Sequence, residues 1–194
     1  CNDGTYATKY SVGDTKSLNL GKEGVVDMQI VAFEADTIAN STEKAPITWI
    51  SKQLLKTKHN MNSSVTANGG WEKSAMRSYL DGTVKALIPA TVRSAIKTVT
   101  KTNNSGDTDD AVWIPNTAEV FDGGAYTGLF TDNASRIKTI VGESSASSWW
   151  LRNAYYSDYS DDSDYYFWFV NTNGSCSRDA APNTSGGVAL GFCT

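Results

Sequence analysis

Of the 14 residues at positions 153–166, 13 are Tyr, Asp, Ser or Asn, the exception being Ala154. The stretch holds five of the nine tyrosines and four aspartates, and it has too little aliphatic surface to bury itself. It cannot be core, so the rest of the chain must form a framework that holds it at the surface. Apolar anchors stand on both sides: Trp149-Trp150-Leu151-Arg152 before it, and Phe167-Trp168-Phe169-Val170, which reads as a buried strand, after it. Tyrosine gives contact area at low entropic cost, while Ser, Asn and Asp give adaptable hydrogen bonds, the logic on which antibody loops are built. A second polar stretch covers residues 171–185, and residues 187–192 close the chain as an apolar strand.

A chain of 194 residues suits a single domain, here residues 1–194, able to bury about 70% of its unfolded surface. Up to about residue 55 the pattern is strand-like: Leu18 and Leu20 alternate with polar residues, and residues 25–33 and 47–50 are β-branched or aromatic runs between turn-formers. Three or four strands are expected there. Trp71, Ala75, Met76, Tyr79 and Leu80 then share one helical face, with a stop expected at Asp81-Gly82. Val84, Leu87, Ile88, Val92 and Ile96 continue the period, but Pro89 predicts two short pieces around a break. Residues 103–110 read as a loop, residues 111–114 as a short buried strand, and residues 123–135 as another loop. Pro115-Asn116-Thr117-Ala118-Glu119 reads as a capping device, with Thr117 as cap and Glu119 in the next turn. Periodicity therefore gives a domain of mixed α and β structure, with helices packed on the sheet.

Charge placement excludes one class of partner. Residues 1–140 carry 15 acidic and 15 basic side chains, whereas residues 141–194 carry six acidic and two basic. No basic stripe is available to neutralise phosphates, so nucleic acid is not expected as a partner. Apolar runs such as Ile30-Val31-Ala32-Phe33 fall far short of the ~20 residues of a membrane helix, and no span is expected. Three cysteines without a C-x-x-C pair indicate neither a disulfide framework nor a zinc knuckle. One Cys176–Cys193 bridge would be allowed, but a buried Cys193 and an exposed Cys176 is the favoured reading. Cys1 in place of Met points to trimming of an upstream tag, signal or domain, and a lipid-bearing mature N-terminus would also begin with Cys.

Codons add a further regularity. Asn is encoded by adenine-adenine-pyrimidine, and every residue from 153 to 166 lies within adenine-only substitution of an Asn codon. Adenine-directed mutagenesis would leave this trace, as would selection for a polar, Tyr-rich loop. The motif Trp149-Trp150-Leu151-Arg152-Asn153, the Tyr/Ser/Asp run, Phe167-Trp168, Val170-Asn171, Gly174 and the ending Gly187-Val188 to Phe192-Cys193 resemble the variable region of diversity-generating retroelement variable proteins with a C-type lectin fold. Ser11-Val12-Gly13-Asp14, residues 47–55, Gly69-Gly70-Trp71 through Arg77, and Val112-Trp113-Ile114 are consistent with the same scaffold. The resemblance implies a C-type lectin-like fold, two helices packed on short antiparallel sheets, with residues 149–194 as the variable ligand-binding region. It makes Trp149, Trp150, Leu151, Arg152, Phe167, Trp168 and Val170 framework. Where family members close with Arg-Pro after Gly-Val, this chain has Ala189-Leu190, and the calcium-dependent sugar-binding motifs of lectins do not occur in it.

Enzymatic readings find less support. His59 sits in a polar loop with no Ser or Cys motif set against it. Asp158, Asp161, Asp162 and Asp164 lack the Gly and terminal Glu of an EF-hand, and exposed aspartates lack the apolar pocket of a glycosidase acid. No metal or cofactor is expected. The expected function is non-enzymatic binding of a protein or glycan on a cell surface, by a protein that is extracellular or on a virion or cell surface. The candidate contact residues are Asn153, Tyr155, Tyr156, Asp158, Tyr159, Asp161, Asp162, Asp164, Tyr165, Tyr166, Asn171, Asn173, Arg178, Asp179 and Asn183. The alternative is a fixed-specificity hydrolase or metal-dependent enzyme on the same scaffold.

Overall fold

The computed structural model describes residues 5–121, 124–126, 128–155, 166–180, 182 and 184–194. After a short helix α1 (Tyr6–Lys9), four strands follow where three or four were expected: β1 (Thr15–Asn19), β2 (Val25–Phe33), β3 (Thr37–Ile38) and β4 (Ile47–Ser51). Three of them join the last strand of the chain, β12 (Gly191–Cys193), in an antiparallel sheet of order β1-β2-β4-β12. Every residue of β4 is buried, because the strand has core on both faces. Trp49 packs into a cluster with Met28, Ile30 and Phe192, while Ile50 packs into a second with Val31, Leu54 and Leu151.

The predicted helix forms, but it does not stop at Asp81-Gly82. Helix α2 (Ala75–Tyr79) is capped by Ser74, whose Oγ accepts from Arg77 N at 3.1 Å. It runs on through a π turn (Leu80–Val84) into α3 (Lys85–Leu87). Leu80 and Val84 are both fully buried on the core side, so packing holds the helix together past the glycine, which costs only about 1 kcal/mol in a helix interior. The break falls where Pro89 requires it: Ile88 is extended, and α4 (Ala90–Arg93) begins after the proline.

The predicted loop at residues 103–110 is shorter than expected. Strand β6 (Thr108–Asp110) pairs with β5 (Val99–Lys101), which in turn pairs with β3. The chain at 111–114 is buried as expected, but it makes a single bridge, Trp113 to Gly191, rather than a strand. Helices α5 (Thr117–Val120) and α6 (Asn133–Arg136), then β7 (Lys138–Thr139) and β8 (Ala146–Ser147), lead to the C-terminal sheet. That sheet has the order β11-β10-β9, with β9 (Trp149–Tyr155), β10 (Tyr166–Val170) and β11 (Cys176–Ala180) all antiparallel. Strand β11 lies within the stretch whose polar composition gave no strand signal. Cys193 is buried and Cys176 exposed, with no bridge between them. The architecture is α+β, several small antiparallel sheets with few and short helices. No helix among the described residues is long and apolar enough to cross a membrane.

Candidate functional site

Strand β9 carries the first residues of the Tyr-rich run, Asn153 to Tyr155. Its first residues alternate between two cores, Trp150 and Ala154 facing one cluster, Trp149 and Leu151 the other. This sandwiching explains four consecutive buried positions in Trp149-Trp150-Leu151-Arg152. The pairing of β9 with β10 then shifts register between Phe167 and Phe169, and opposite that irregularity two polar side chains of β9 turn to partners within the protein.

Arg152 is one of them, 1% exposed. Its guanidinium meets Glu119 in a two-point pair, Nη1 to Oε2 at 2.6 Å and Nη2 to Oε1 at 2.7 Å. It also donates to Asn103 Oδ1 at 2.7 Å and to the Ile114 carbonyl at 3.0 Å. Glu119 is shared with Lys101, whose Nζ lies 2.7 Å from Oε1 and 2.5 Å from Asp36 Oδ1. Tyr126 donates its hydroxyl to Asp36 Oδ2 at 3.2 Å, as does Thr48 at 2.7 Å. Two carboxylates and two cations thus form a buried and neutral cluster, the arrangement in which charges can leave water. Burial alone would push the Glu119 carboxyl up, but Arg152 and Lys101 outweigh it and bring its pKa down to about 2. Burial first, then the carboxylates of Glu119 and Asp36, pushes the Tyr126 hydroxyl well up; burial and Asp36 do the same to the Cys193 thiol.

Glu119 also closes the capping box of α5. Its Oε2 accepts from Asn116 N at 2.8 Å while Asn116 Oδ1 accepts from Glu119 N at 2.9 Å. The capping role expected of Glu119 holds, but the cap is Asn116 rather than Thr117. Thr117 N is taken by the next polar residue of β9, donating to Asn153 Oδ1 at 2.8 Å.

At Tyr155 the strand becomes half-exposed. The Tyr155 ring meets Trp168 edge-on at 5.5 Å, and the Arg178 guanidinium of β11 lies 4.5 Å from its centroid and donates to its hydroxyl. Tyr166 is the register partner of Tyr155. Asn104, from the loop before β6, donates its amide to the Ala154 carbonyl. The structure therefore brings Asn153, Tyr155, Tyr166 and Arg178 together at the ends of β9–β11. Asn171 and Asn173 lie at the other end of β10, in a turn where Asn171 N donates to the Ser175 carbonyl at 2.8 Å and Asn173 Oδ1 accepts from Ser175 N at 3.1 Å. Asp179 belongs to β11. Tyr156, Asp158, Tyr159, Asp161, Asp162, Asp164, Tyr165 and Asn183 lie outside the described residues. Among the described residues, no three His, Cys, Asp or Glu side chains are grouped as a metal site would need.

Sequence reasoning placed Trp168 in the framework but missed three other participants, Asn104, Asp36 and Lys101. Trp168 is half-buried and supports Tyr155 as well as the core. Asn104 was read only as loop, and Asp36 and Lys101 carried no signal because residues 65 positions apart meet only in the fold.

The fold and site define an α+β domain in which a buried charge cluster holds strand β9. The chain matches, over residues 47–193, the family described as "Domain of unknown function (DUF6273)", and it belongs to that family. No curated protein and no solved structure matches it.

Proposed function

We propose that this chain is a non-enzymatic ligand-binding protein with a C-type lectin-like fold, of the kind found among diversity-generating retroelement variable proteins. Its binding face is the Tyr/Asp/Ser/Asn-rich surface within residues 149–194, and its ligand is a protein or glycan on a cell surface. In that setting the protein is extracellular or carried on a virion or cell surface. The observation that carries the reading is the division within β9: Trp149 through Arg152 are fully engaged in the interior, and three residues later Tyr155, the first tyrosine of the Tyr-rich run, is only half-buried. A site meant to vary in side chain needs a base that does not depend on those side chains. Tyrosine supplies the anchors and the aspartates favour a cationic partner.

Replacing Tyr155, Tyr156, Tyr159, Tyr165 and Tyr166 together by Ala tests this reading. Binding to cells that carry the ligand should be abolished, while the thermal midpoint falls by only a few degrees, as for surface substitutions. Loss of cooperative unfolding would make those rings core. A rise in the wild-type midpoint with added calcium or zinc would favour the metal-dependent enzyme instead.

A further inference from the structure

Two cavities lie on either side of the contact between residues 184–186, which line one, and residues 58–62, which line the other. His59 and Gly186 exchange both backbone hydrogen bonds at 3.0 and 3.1 Å, and Ser185 Oγ donates to Asn60 Oδ1 at 2.7 Å. Glycine is required at 186, since a Cβ there would stand 2.6 Å from the Trp150 indole nitrogen, which donates to the His59 carbonyl at 3.0 Å.

The first cavity, about 190 Å³, has no charged residue in its lining. Phe169 supplies its half-exposed aromatic wall, edge-on to Trp150 at 6.2 Å, and Ser148, Thr184 and Ser185 supply hydroxyls around it. An ion would find no counter-charge here, and a purely apolar ligand would cover hydroxyls without pairing them. A pyranose ring answers both walls, with C–H groups on one face and hydroxyls at its edge. The volume lies below the ~300–1,000 Å³ of pockets for drug-sized ligands and suits one ring.

The second cavity, about 320 Å³, lies across the Ser185–Asn60 hydrogen bond, with Lys58, Asn60, Asn62 and Ser63 among its lining residues and more apolar than polar surface in its walls. Asn62 is used within the protein, its Oδ1 by Ala75 N and its Nδ2 by the Thr66 carbonyl. Lys58 is exposed and has no carboxylate partner among the described residues. His59 is stacked flat on Tyr79 at 4.0 Å, with Nδ1 held by the Asn60 carbonyl at 2.7 Å. One ammonium amid neutral hydrogen-bonding groups matches one carboxylate.

We propose that this paired cleft binds an acidic glycan, with a neutral pyranose against Phe169 linked to a uronic acid ring whose carboxylate meets Lys58. The cleft opens on the side of β10 that carries Phe169, whereas Tyr155 packs on Trp168, which belongs to the opposite core cluster. The site therefore stands apart from the Tyr-rich face and does not depend on that face being diversified.

The test is a nuclear magnetic resonance titration of the full chain with hyaluronan tetrasaccharide, in which glucuronate and N-acetylglucosamine alternate, against neutral chitotetraose. Saturable shifts are expected at the amides of His59, Phe169, Ser185 and Gly186, with those of Tyr155 and Arg178 unmoved. Lys58→Gln should weaken the hyaluronan fragment roughly tenfold, the loss of one charge-assisted contact, and leave chitotetraose binding as it was. Phe169→Ala should abolish binding of both. Thr184→Val, at an exposed position, should weaken both with the fold intact. No saturable shift from either oligosaccharide at millimolar concentration, shifts confined to Tyr155 and Arg178, or equal binding of inorganic phosphate alone would each overturn the proposal.

Discussion

Arg152 and Glu119 meet through two parallel hydrogen bonds of 2.6 and 2.7 Å, and neither side chain is more than 9% exposed. One is the last anchor before the Tyr-rich run and the other the N3 residue of α5, so this ion pair ties strand β9 to the start of that helix. Removing one partner strands the other in the interior. Glu119→Gln or Arg152→Met should each cost about 3–5 kcal/mol in urea unfolding, with the double variant far less costly than the sum. Arg152→Lys should fall near Arg152→Met, since an ammonium cannot make the two-point contact.

The same pair sets the acid limit of the fold. The Glu119 carboxyl titrates at about 2 in the folded chain against an ordinary 4.5. Between those values the unfolded chain binds the extra proton, so stability falls as pH falls. Roughly 3 kcal/mol of stability present above pH 4.5 should be lost as pH drops through 2. Unfolding free energy measured between pH 6 and 2 should lose much of its slope in Glu119→Gln.

Lys138 should act at the other end of the scale. Its ammonium is buried against the Ser51 and Lys52 carbonyls at 2.6 and 3.2 Å and lies 5.7 Å from the centroids of Phe130 and Trp149. Burial, reinforced by the charge on Lys52, lowers its pKa to about 7 from 10.5. Between those values the unfolded chain holds the proton that the folded chain has released, so stability should rise from pH 7 to pH 10.5. Lys138→Met should flatten that rise in denaturant titrations across the range.

Gly174 should tolerate no side chain. Its φ is +81°, and a Cβ would stand 1.8 Å from the Asn133 carbonyl oxygen of α6. Gly174→Ala should therefore cost more than about 2 kcal/mol, as backbone strain and a main-chain clash add. A thermal midpoint within a degree of wild type would show that this turn does not seat on α6 as described.

Where local pattern and tertiary packing agree, the sequence was legible. The alternation in β1 and β2, the break at Pro89, the capping role of Glu119 and the buried Cys193 all follow from period, covalent geometry or side-chain chemistry acting over a few residues. Asp81-Gly82 misled because packing of Leu80 and Val84 overrides a local stop signal. Strand β11 was illegible because Cys-Ser-Arg-Asp-Ala pairs through its backbone, with no apolar alternation to announce it. The ionic cluster was the least legible feature, since Asp36, Lys101, Glu119 and Arg152 come from four separate elements or connections and meet only in the fold.

The central claim is that a fixed interior displays a surface built to vary. Deep sequencing of the 3′ end of the gene across a natural population, with the downstream DNA read for a near-identical template repeat, tests it most directly. Variation should be confined to adenine-derived positions in codons 153 to 185, with Trp149, Trp150, Leu151, Arg152, Phe167 and Val170 unchanged. An invariant 3′ end with no template repeat would contradict it and leave a domain of fixed specificity.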